Sequence, residues 1–92
     1  MKVKYKLNEK LIELTEKKNG DDYEFSITLL SKEQKKGLEK VREYFDNNKV
    51  LTDIHFYIHA NNRYQIIVRN DYYNEFLIQL FKEQFLLELK WV

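Results

Sequence analysis

The dipeptide Asn19-Gly20 constrains the first third of the chain more than any other feature of the sequence. Asn-Gly commonly ends a helix, and Leu11, Leu14 and Lys18 would share one side of such a helix. Between two alternating stretches, Asn-Gly is also the strongest short-range signal for a two-residue hairpin loop. The two interpretations exclude each other, so the flanking residues decide between them.

Those flanking residues favour the hairpin. If Asn19-Gly20 is the loop, Lys18 opposes Asp21, and Leu14 opposes Phe25. Directly opposed residues share a face of a sheet. The apolar face would then consist of Ile12, Leu14, Tyr23, Phe25, Ile27 and Leu29. A helix over the same residues explains neither this face nor the Lys–Asp pairs expected beside the turn, so the sequence predicts a hairpin.

A strand is also predicted upstream, where Val3, Tyr5 and Leu7 alternate with lysines. Its apolar residues are odd-numbered, whereas those of the next strand are even-numbered. A tight turn at residues 8–11 that sets Leu7 opposite Ile12 would restore one apolar face. A β-bulge near residue 8 in one long bent strand would do the same. The sequence allows both.

A helix and a second hairpin follow. Ser31 and Gln34 have the spacing of a capping box, and residues 46–48 should end the helix. The apolar stripe of this helix is Leu38, Val41 and Phe45.

Beyond the helix, two sets of residues alternate, and this pattern predicts a strand. One set is Ile54, Phe56, Ile58 and Ala60, and the other is Asp53, His55, Tyr57 and His59. A three-residue loop at 61–63 would set Ile58 against Ile66 and keep one face apolar, whereas a two-residue loop would mix the faces.

Residues 70–92 divide into a helix and a strand by periodicity. At about 100° per residue, one helical arc, capped by Asn70 or Asp71, collects Tyr72, Tyr73, Phe76, Leu77, Leu80 and Phe81. A longer helix would put Gln84 and Glu88 inside that arc. A strand instead places Phe85, Leu87, Leu89 and Trp91 on one face, and Glu88 and Lys90 on the other. We therefore expect helix to about Lys82 and strand after it.

These elements predict one α+β domain over residues 1–92. Its antiparallel-dominated sheet would have five or six strands, with two helices on one face and the order β-β-β-α-β-β-α-β. From Tyr23 onward this is the order of a ferredoxin-like plait, a fold that hosts many functions. The first strand of that plait is central, yet here the Asn-Gly hairpin already occupies one of its edges. Either the last strand pairs elsewhere or the sheet order differs.

Composition limits the class of protein. Hydrophobic residues at 43%, including 15% aromatic residues, indicate a packed core. The absence of cysteine excludes disulfides and thiolate sites. No apolar run approaches the roughly 20 residues of a membrane span, and the first ten residues lack the apolar core of a signal peptide. We expect a soluble, cytoplasmic protein.

The composition also bears on the genome that encodes the chain. Ala, Gly, Arg and Pro, which have GC-rich codons, are scarce, and this indicates an AT-rich genome such as that of a low-GC bacterium or its phage.

Candidate catalytic chemistry is sparse. His55 and His59 share one strand face, but four residues at about 3.3 Å each separate them by about 13 Å. That is too far for two ligands that must each lie about 2.1 Å from one zinc ion. No nucleophile motif and no Gly-rich phosphate loop is present. We therefore expect no enzyme activity, no metal and no cofactor.

The sheet face opposite the helices is the most informative surface. If the helices cover Phe25, Phe56 and Ile66, the other face shows Ser26, Thr28, His55, Tyr57, His59, Gln65, Ile67, Arg69, Leu86 and Lys90. Aromatic residues and arginine are enriched in protein interfaces, although an ordinary half-polar outer face also contains them. The predicted partner-binding residues are His55, Tyr57, His59, Ile67 and Arg69, with Arg69 diagonally adjacent to Tyr57.

The charge balance bears on the class of partner. Sixteen basic and 15 acidic residues give a formal charge of +1, without the basic excess on which nucleic-acid affinity depends. The sequence therefore favours a small, non-enzymatic protein-binding or regulatory module, such as a phage or bacterial accessory factor, with an unidentified protein partner and no membrane. The alternative is a weak single-stranded nucleic-acid-binding domain that stacks bases on Tyr57 and the histidines.

Self-association is also expected. The apolar arc of the second helix spans over half its circumference, which is wider than packing on one sheet requires. Together with Trp91 and open strand edges, this favours a homodimer. The alternative is that the C-terminal segment simply wraps a small core.

Overall fold

The computed structural model describes residues 2–47 and 54–92, which form six strands and two α-helices. The strands are β1 (Val3–Leu7), β2 (Ile12–Asn19), β3 (Asp22–Leu29), β4 (Ile54–His59), β5 (Arg63–Arg69) and β6 (Leu86–Trp91). The helices are α1 (Lys35–Asp46) and α2 (Tyr73–Lys82), each entered through a 3-10 turn, Lys32–Gln34 and Asn70–Tyr72. The predicted α+β class and element order are confirmed. Asn48, which belongs to the predicted helix end at 46–48, and Asp53, which was predicted to lie in a strand, are outside the described residues.

The strands form two antiparallel sheets where the sequence predicted one. The larger sheet has the order β2-β3-β5-β4, and β1 pairs with β6 in a separate two-stranded sheet. Strands β3, β5 and β4 with α1 keep the arrangement of half a ferredoxin-like plait, in which β5 lies between the two strands that the helix connects. Strand β2 holds the position beside β3 that the last strand of the plait would take. Of the two alternatives that the sequence left open, the last strand pairs elsewhere.

The first hairpin is present, but its register differs from the predicted one by two residues. Asn19 belongs to β2 and pairs with Asp22, so the loop is Gly20-Asp21. Gly20 has a φ of 64°, and Asp21 has no positive φ, which is the pattern of a type II′ turn. Because the slip is two residues, every side chain keeps its predicted face.

Individual partners across this hairpin do change. Leu14 opposes Ile27 and not Phe25. The expected Lys–Asp pairs are wrong, because Lys18 opposes Tyr23 and its ammonium lies 5.8 Å from the centre of that ring.

Strand β1 does not continue or pair with β2, so both predicted arrangements for it are wrong. A turn does form at residues 8–11, where the Leu11 N–H donates to the Asn8 carbonyl at 2.9 Å. It directs β1 towards the C-terminal segment, where Tyr5 opposes Leu89 and the Asn8 N–H bonds the Phe85 carbonyl at 2.9 Å.

Helix α1 buries its predicted stripe of Leu38, Val41 and Phe45. The predicted capping box is wrong, because no side-chain hydrogen bond caps the helix from Ser31. The chain enters through the 3-10 turn instead, in which the Gln34 N–H donates to the Ser31 carbonyl at 3.3 Å.

The second hairpin has the predicted odd loop, shifted by one residue. Its loop is residues 60–62, and β5 begins at Arg63. Asn61 and Asn62 have φ angles of 63° and 61°, a conformation that Asn tolerates better than most residues. Ile58 therefore opposes Tyr64, and Phe56 opposes Ile66, in place of the predicted Ile66 and Val68.

The C-terminal segment changes from helix to strand as predicted. The Phe85 N–H bonds the Leu80 carbonyl and the Gln84 N–H bonds the Phe81 carbonyl, both at 3.0 Å. Gln84 has a φ of 66°. These bonds are a Schellman motif, which ends a helix and satisfies its last carbonyls.

Strand β6 contains a β-bulge that corrects its predicted faces. Leu7 opposes Leu86 and Lys6 opposes Glu88, so Leu87 is the extra residue. The bulge leaves Leu87 52% exposed and buries Leu86 at 2% exposure.

The core lies between the larger sheet and both helices. Phe76 of α2 lies 4.8 Å from Phe25 of β3 and 6.3 Å from Phe45 of α1, measured between ring centres. Phe25 and Ile66 are fully buried, which confirms which sheet face the helices cover. Helix α2 also contacts β6, so two layers cover most of its wide apolar arc, with Phe81 left 44% exposed. Among the described residues, neither helix has the length and apolar character needed to cross a membrane.

Candidate functional site

The open face of the larger sheet is a grid whose rows follow from strand pairing. One row holds Lys17, Glu24, Ile67 and His55; the next holds Thr15, Ser26, Gln65 and Tyr57; the third holds Glu13, Thr28, Arg63 and His59. The half made by β2 and β3 is polar and charged. The half made by β5 and β4 carries the aromatic ring of Tyr57, two imidazoles and one aliphatic side chain, together with Arg63, Gln65 and Arg69.

The structure brings four of the five predicted site residues together. His55, Tyr57 and His59 are exposed along β4, and Tyr57 is 49% exposed. Ile67 of β5 lies directly opposite His55 and diagonal to Tyr57. We call His55, Tyr57, His59 and Ile67 the β4–β5 patch.

Arg69 lies farther from Tyr57 than predicted. Tyr57 opposes Gln65 and not Ile67, because the register of the second hairpin is two residues from the predicted one. Arg69 instead pairs across the other edge of β5 with Asp22, where its Nε lies 3.9 Å from the carboxylate Oδ1. Arg69 is therefore at the border of the β4–β5 patch.

Two other residues expected on this face lie elsewhere. Leu86 is buried in the core, and Lys90 projects from the second sheet, where it opposes Lys4. The error for Lys90 arises because β6 leaves the larger sheet, and the error for Leu86 arises from the bulge at Leu87.

A depression of about 310 Å³ adjoins the patch. Its lining includes Ser26, Thr28, His59, Arg63 and Gln65. Hydroxyl, amide, imidazole and guanidinium groups therefore surround it, and they can donate and accept hydrogen bonds beside the apolar surface of Tyr57.

The charges of the open face are balanced. Among the described residues of β2 to β5, three acidic side chains (Glu13, Asp22 and Glu24) and three basic ones (Lys17, Arg63 and Arg69) point to this face. Opposite charges alternate across rows instead of forming one basic stripe. A face of this kind lacks the concentrated positive potential that attracts a phosphate backbone.

The two histidines lie at different positions of β4, each opposite a different residue of β5. His55 opposes Ile67 and His59 opposes Arg63, with Tyr57 between them. In the described parts of the chain, no group of three or more His, Cys, Asp or Glu side chains is placed to hold a metal ion.

A second polar cluster, at Glu16, was not found from the sequence. Glu16 of β2 lies on the core side of the sheet, and its two carboxylate oxygens accept hydrogen bonds from Tyr5 at 2.5 Å and Tyr73 at 2.7 Å. The Tyr23 ring lies 4.1 Å from the Tyr73 ring. The available signal was a Glu at an even-numbered position of β2, on the same side of the strand as the apolar residues Ile12 and Leu14.

The tyrosines of this cluster titrate abnormally. Burial, reinforced by the hydrogen bond to Glu16, raises the pKa of Tyr5 and of Tyr73 well above the ordinary value. An open groove of about 510 Å³ adjoins the cluster between Lys2, Asn70, Asn74 and Trp91. The cluster connects β1, β2 and α2, which is a structural role.

Comparisons with known protein families, curated proteins and solved structures gave no match to this chain.

Proposed function

We propose that this chain is a small, non-enzymatic, cytoplasmic protein-binding or regulatory module, an accessory factor of a low-GC bacterium or its phage. Its contact surface is the β4–β5 patch, with Arg69 at the border. The supporting observation is that His55, Tyr57 and His59 are exposed beside Ile67, with the charged side chains of the open sheet face around them. Interfaces combine such an apolar centre with a polar rim.

The composition of the patch supports protein over nucleic acid as the partner. Tyr57 offers a large rigid side chain that can be buried at low entropic cost, which is why tyrosine dominates binding hot spots. The balanced charges of the surrounding face would give little electrostatic attraction to phosphate.

A weak single-stranded nucleic-acid-binding domain is the second candidate. One observation favours it: Tyr57 and the flanking imidazoles are exposed at alternate positions along β4, with Arg63 and Arg69 on the neighbouring strand β5. Sheet-based RNA binders stack bases on such rows.

Capture from a lysate of a low-GC bacterium, with and without nuclease, tests the proposal. We expect the immobilised chain to retain a protein whose recovery is insensitive to nuclease, and Tyr57→Ala to abolish recovery, because such anchors can each contribute over about 2 kcal/mol. Thr15→Ala is the matched control, since Thr15 lies in the same row of the same face at the opposite edge. The immobilised Thr15→Ala variant should recover as much of the captured protein as the wild type does.

Salt dependence separates the two candidates. Binding through the patch should lose little affinity between low and moderate salt, whereas a phosphate-driven complex should lose orders of magnitude. Nuclease-sensitive recovery with a steep salt dependence would replace the first candidate by the second. If Tyr57→Ala lowers the melting temperature strongly, its side chain is part of the core and the assignment of the face is wrong.

Self-association is the second part of the proposal. The wide apolar arc of α2 no longer supports it, because the sheet, α1 and β6 cover most of that arc. Support comes instead from β4, whose Ile58 is 60% exposed beside Tyr57.

A further inference from the structure

The two edge strands of the larger sheet differ in how they are protected. Four of the eight residues of β2 are charged, namely Glu13, Glu16, Lys17 and Lys18. None of the six residues of β4 is Lys, Arg, Asp or Glu. Natural proteins usually prevent an open edge strand from pairing with another chain by means of charged residues, proline or a bulge. The described part of β4 has none of these features.

The outer edge of β4 also exposes apolar side chains on both faces. Among the described residues, β4 pairs only with β5. Ile58 on the helix side is 60% exposed, and Tyr57 on the open side is 49% exposed. Adding a strand at this edge would satisfy backbone groups and place neighbouring side chains beside Ile58 and Tyr57, while the open face itself stays accessible.

We propose that the occupant of this edge is β4 of a second copy, paired antiparallel about a two-fold axis to make one eight-stranded sheet. This assignment rests on the proposed self-association and names its surface. A two-fold axis requires a strand that is complementary to itself, and β4 fulfils this condition because its apolar residues are at alternate positions about Phe56.

The side chains favour a register centred on Phe56. In that register, Ile54 of each copy opposes Ile58 of the other, and the two Phe56 side chains meet at the axis. Opposed residues share a face, so the exposed Ile58 would be covered by an aliphatic partner twice per dimer. A register centred on Tyr57 would instead set His55 against His59 in two pairs and leave Ile58 opposite Phe56.

The interface is small, so the dimer is weak. Six residues span roughly 20 Å, and pairing one strand covers less surface than the roughly 1,200–2,000 Å² of a standard stable interface. We expect a monomer–dimer equilibrium in the micromolar range, in which the open face presents two adjacent β4–β5 patches.

Sedimentation equilibrium of the full chain tests the interface with Ile58→Lys. This substitution introduces a charge on an exposed side chain of the edge, so the fold should persist. The dissociation constant should rise about tenfold or more, because each dimer loses two apolar contacts. Leu87→Lys is the matched control: it makes the same kind of change at a 52% exposed residue of β6 and should leave the equilibrium unchanged.

Crosslinking tests the register, because the chain contains no native cysteine. Ile54→Cys and Ile58→Cys proteins should form a disulfide-linked dimer when mixed, since opposed Cβ atoms are about 4.5–5.5 Å apart. Each alone should not, because like residues would then be about 13 Å apart along the strands.

The possible results distinguish a failure of the β4 interface from a failure of self-association itself. A wild type that stays monomeric at all concentrations up to about 1 mM would overturn self-association itself. A dimer that Ile58→Lys leaves intact, or that Leu87→Lys weakens equally, would overturn only the β4 interface. Crosslinking of Ile58→Cys with itself but not with Ile54→Cys would overturn the register.

Discussion

Gly20 opens the first hairpin loop with a φ of 64°, and a Cβ built on it would meet no atom within 4 Å. Any cost of a side chain there is therefore backbone strain and not steric overlap. We expect Gly20→Val to lower the free energy of unfolding by about 1–3 kcal/mol, because a β-branched residue resists positive φ. Chemical denaturation measures the change.

Gly20→Asn is the matched variant for this prediction. Asn adopts positive φ more readily than β-branched residues, so its loss of stability should be smaller than that of Val. Equal losses of stability for the two variants would show that the positive φ at residue 20 does not determine the cost of substitution.

Residue type explains which turns could be predicted. Gly20, Asn61 and Asn62 are of the kinds that favour positive φ, and both hairpin loops were predicted to within about one residue. Gln84 also has positive φ, but Gln carries no such preference. The helix end beside it was predicted instead from the periodicity of the apolar residues.

At the scale of elements, faces were predictable and registers were not. Both hairpins pair two residues away from the predicted register, yet every strand of the larger sheet that was assigned a face keeps it, because side chains alternate with a period of two. The displaced register explains why Arg69 lies at the border of the β4–β5 patch. The bulge at Leu87 has no signature in the sequence, and it exchanged the expected environments of Leu86 and Leu87.

Gly37 shows a packing requirement between elements that periodicity could not reveal. A Cβ at Gly37 would lie 2.9 Å from Cζ and 3.3 Å from Cε2 of Phe85. The Phe85 ring is only 1% exposed, so it has little room to move. Glycine therefore lets α1 approach the segment between α2 and β6 closely.

We expect Gly37→Ala to destabilise the protein, although Ala is the better helix former. The propensity gain is about 1 kcal/mol, whereas overpacking costs about 1–3 kcal/mol, so the net loss should be about 1 kcal/mol by chemical denaturation. In a Phe85→Leu background the loss should shrink or reverse. A stabilised single variant would mean that the ring yields easily.

At the scale of the whole molecule, the pairing of β1 with β6 joins the two ends of the chain. Val3 opposes Trp91, and no local pattern in the sequence specifies which distant strand an edge will select. The hydrogen bonds to Glu16 are equally non-local, since they bring Tyr5 and Tyr73 to β2 from the second sheet and from α2. Long-range partners of this kind account for most of what the sequence did not predict.

The Glu16 cluster should make stability depend on pH in the alkaline range. Burial and the bond to Glu16 raise the pKa of Tyr5 and Tyr73 in the folded state, whereas the unfolded chain has phenol pKa values of about 10. The stabilisation is therefore complete below about pH 10 and decreases as the pH rises, because the unfolded state loses its phenol protons first.

Combined Tyr5→Phe and Tyr73→Phe substitutions should remove this dependence. At neutral pH the variant should lose about 1–3 kcal/mol of unfolding free energy with the two hydrogen bonds. Urea denaturation between about pH 9 and 11 should then show a shallower decline than in the wild type. Lysines titrate in the same range in both proteins, so the difference between the two profiles isolates the tyrosines. Parallel profiles would mean that the phenols are not protected on folding, and that Glu16 does not couple the second sheet to the first.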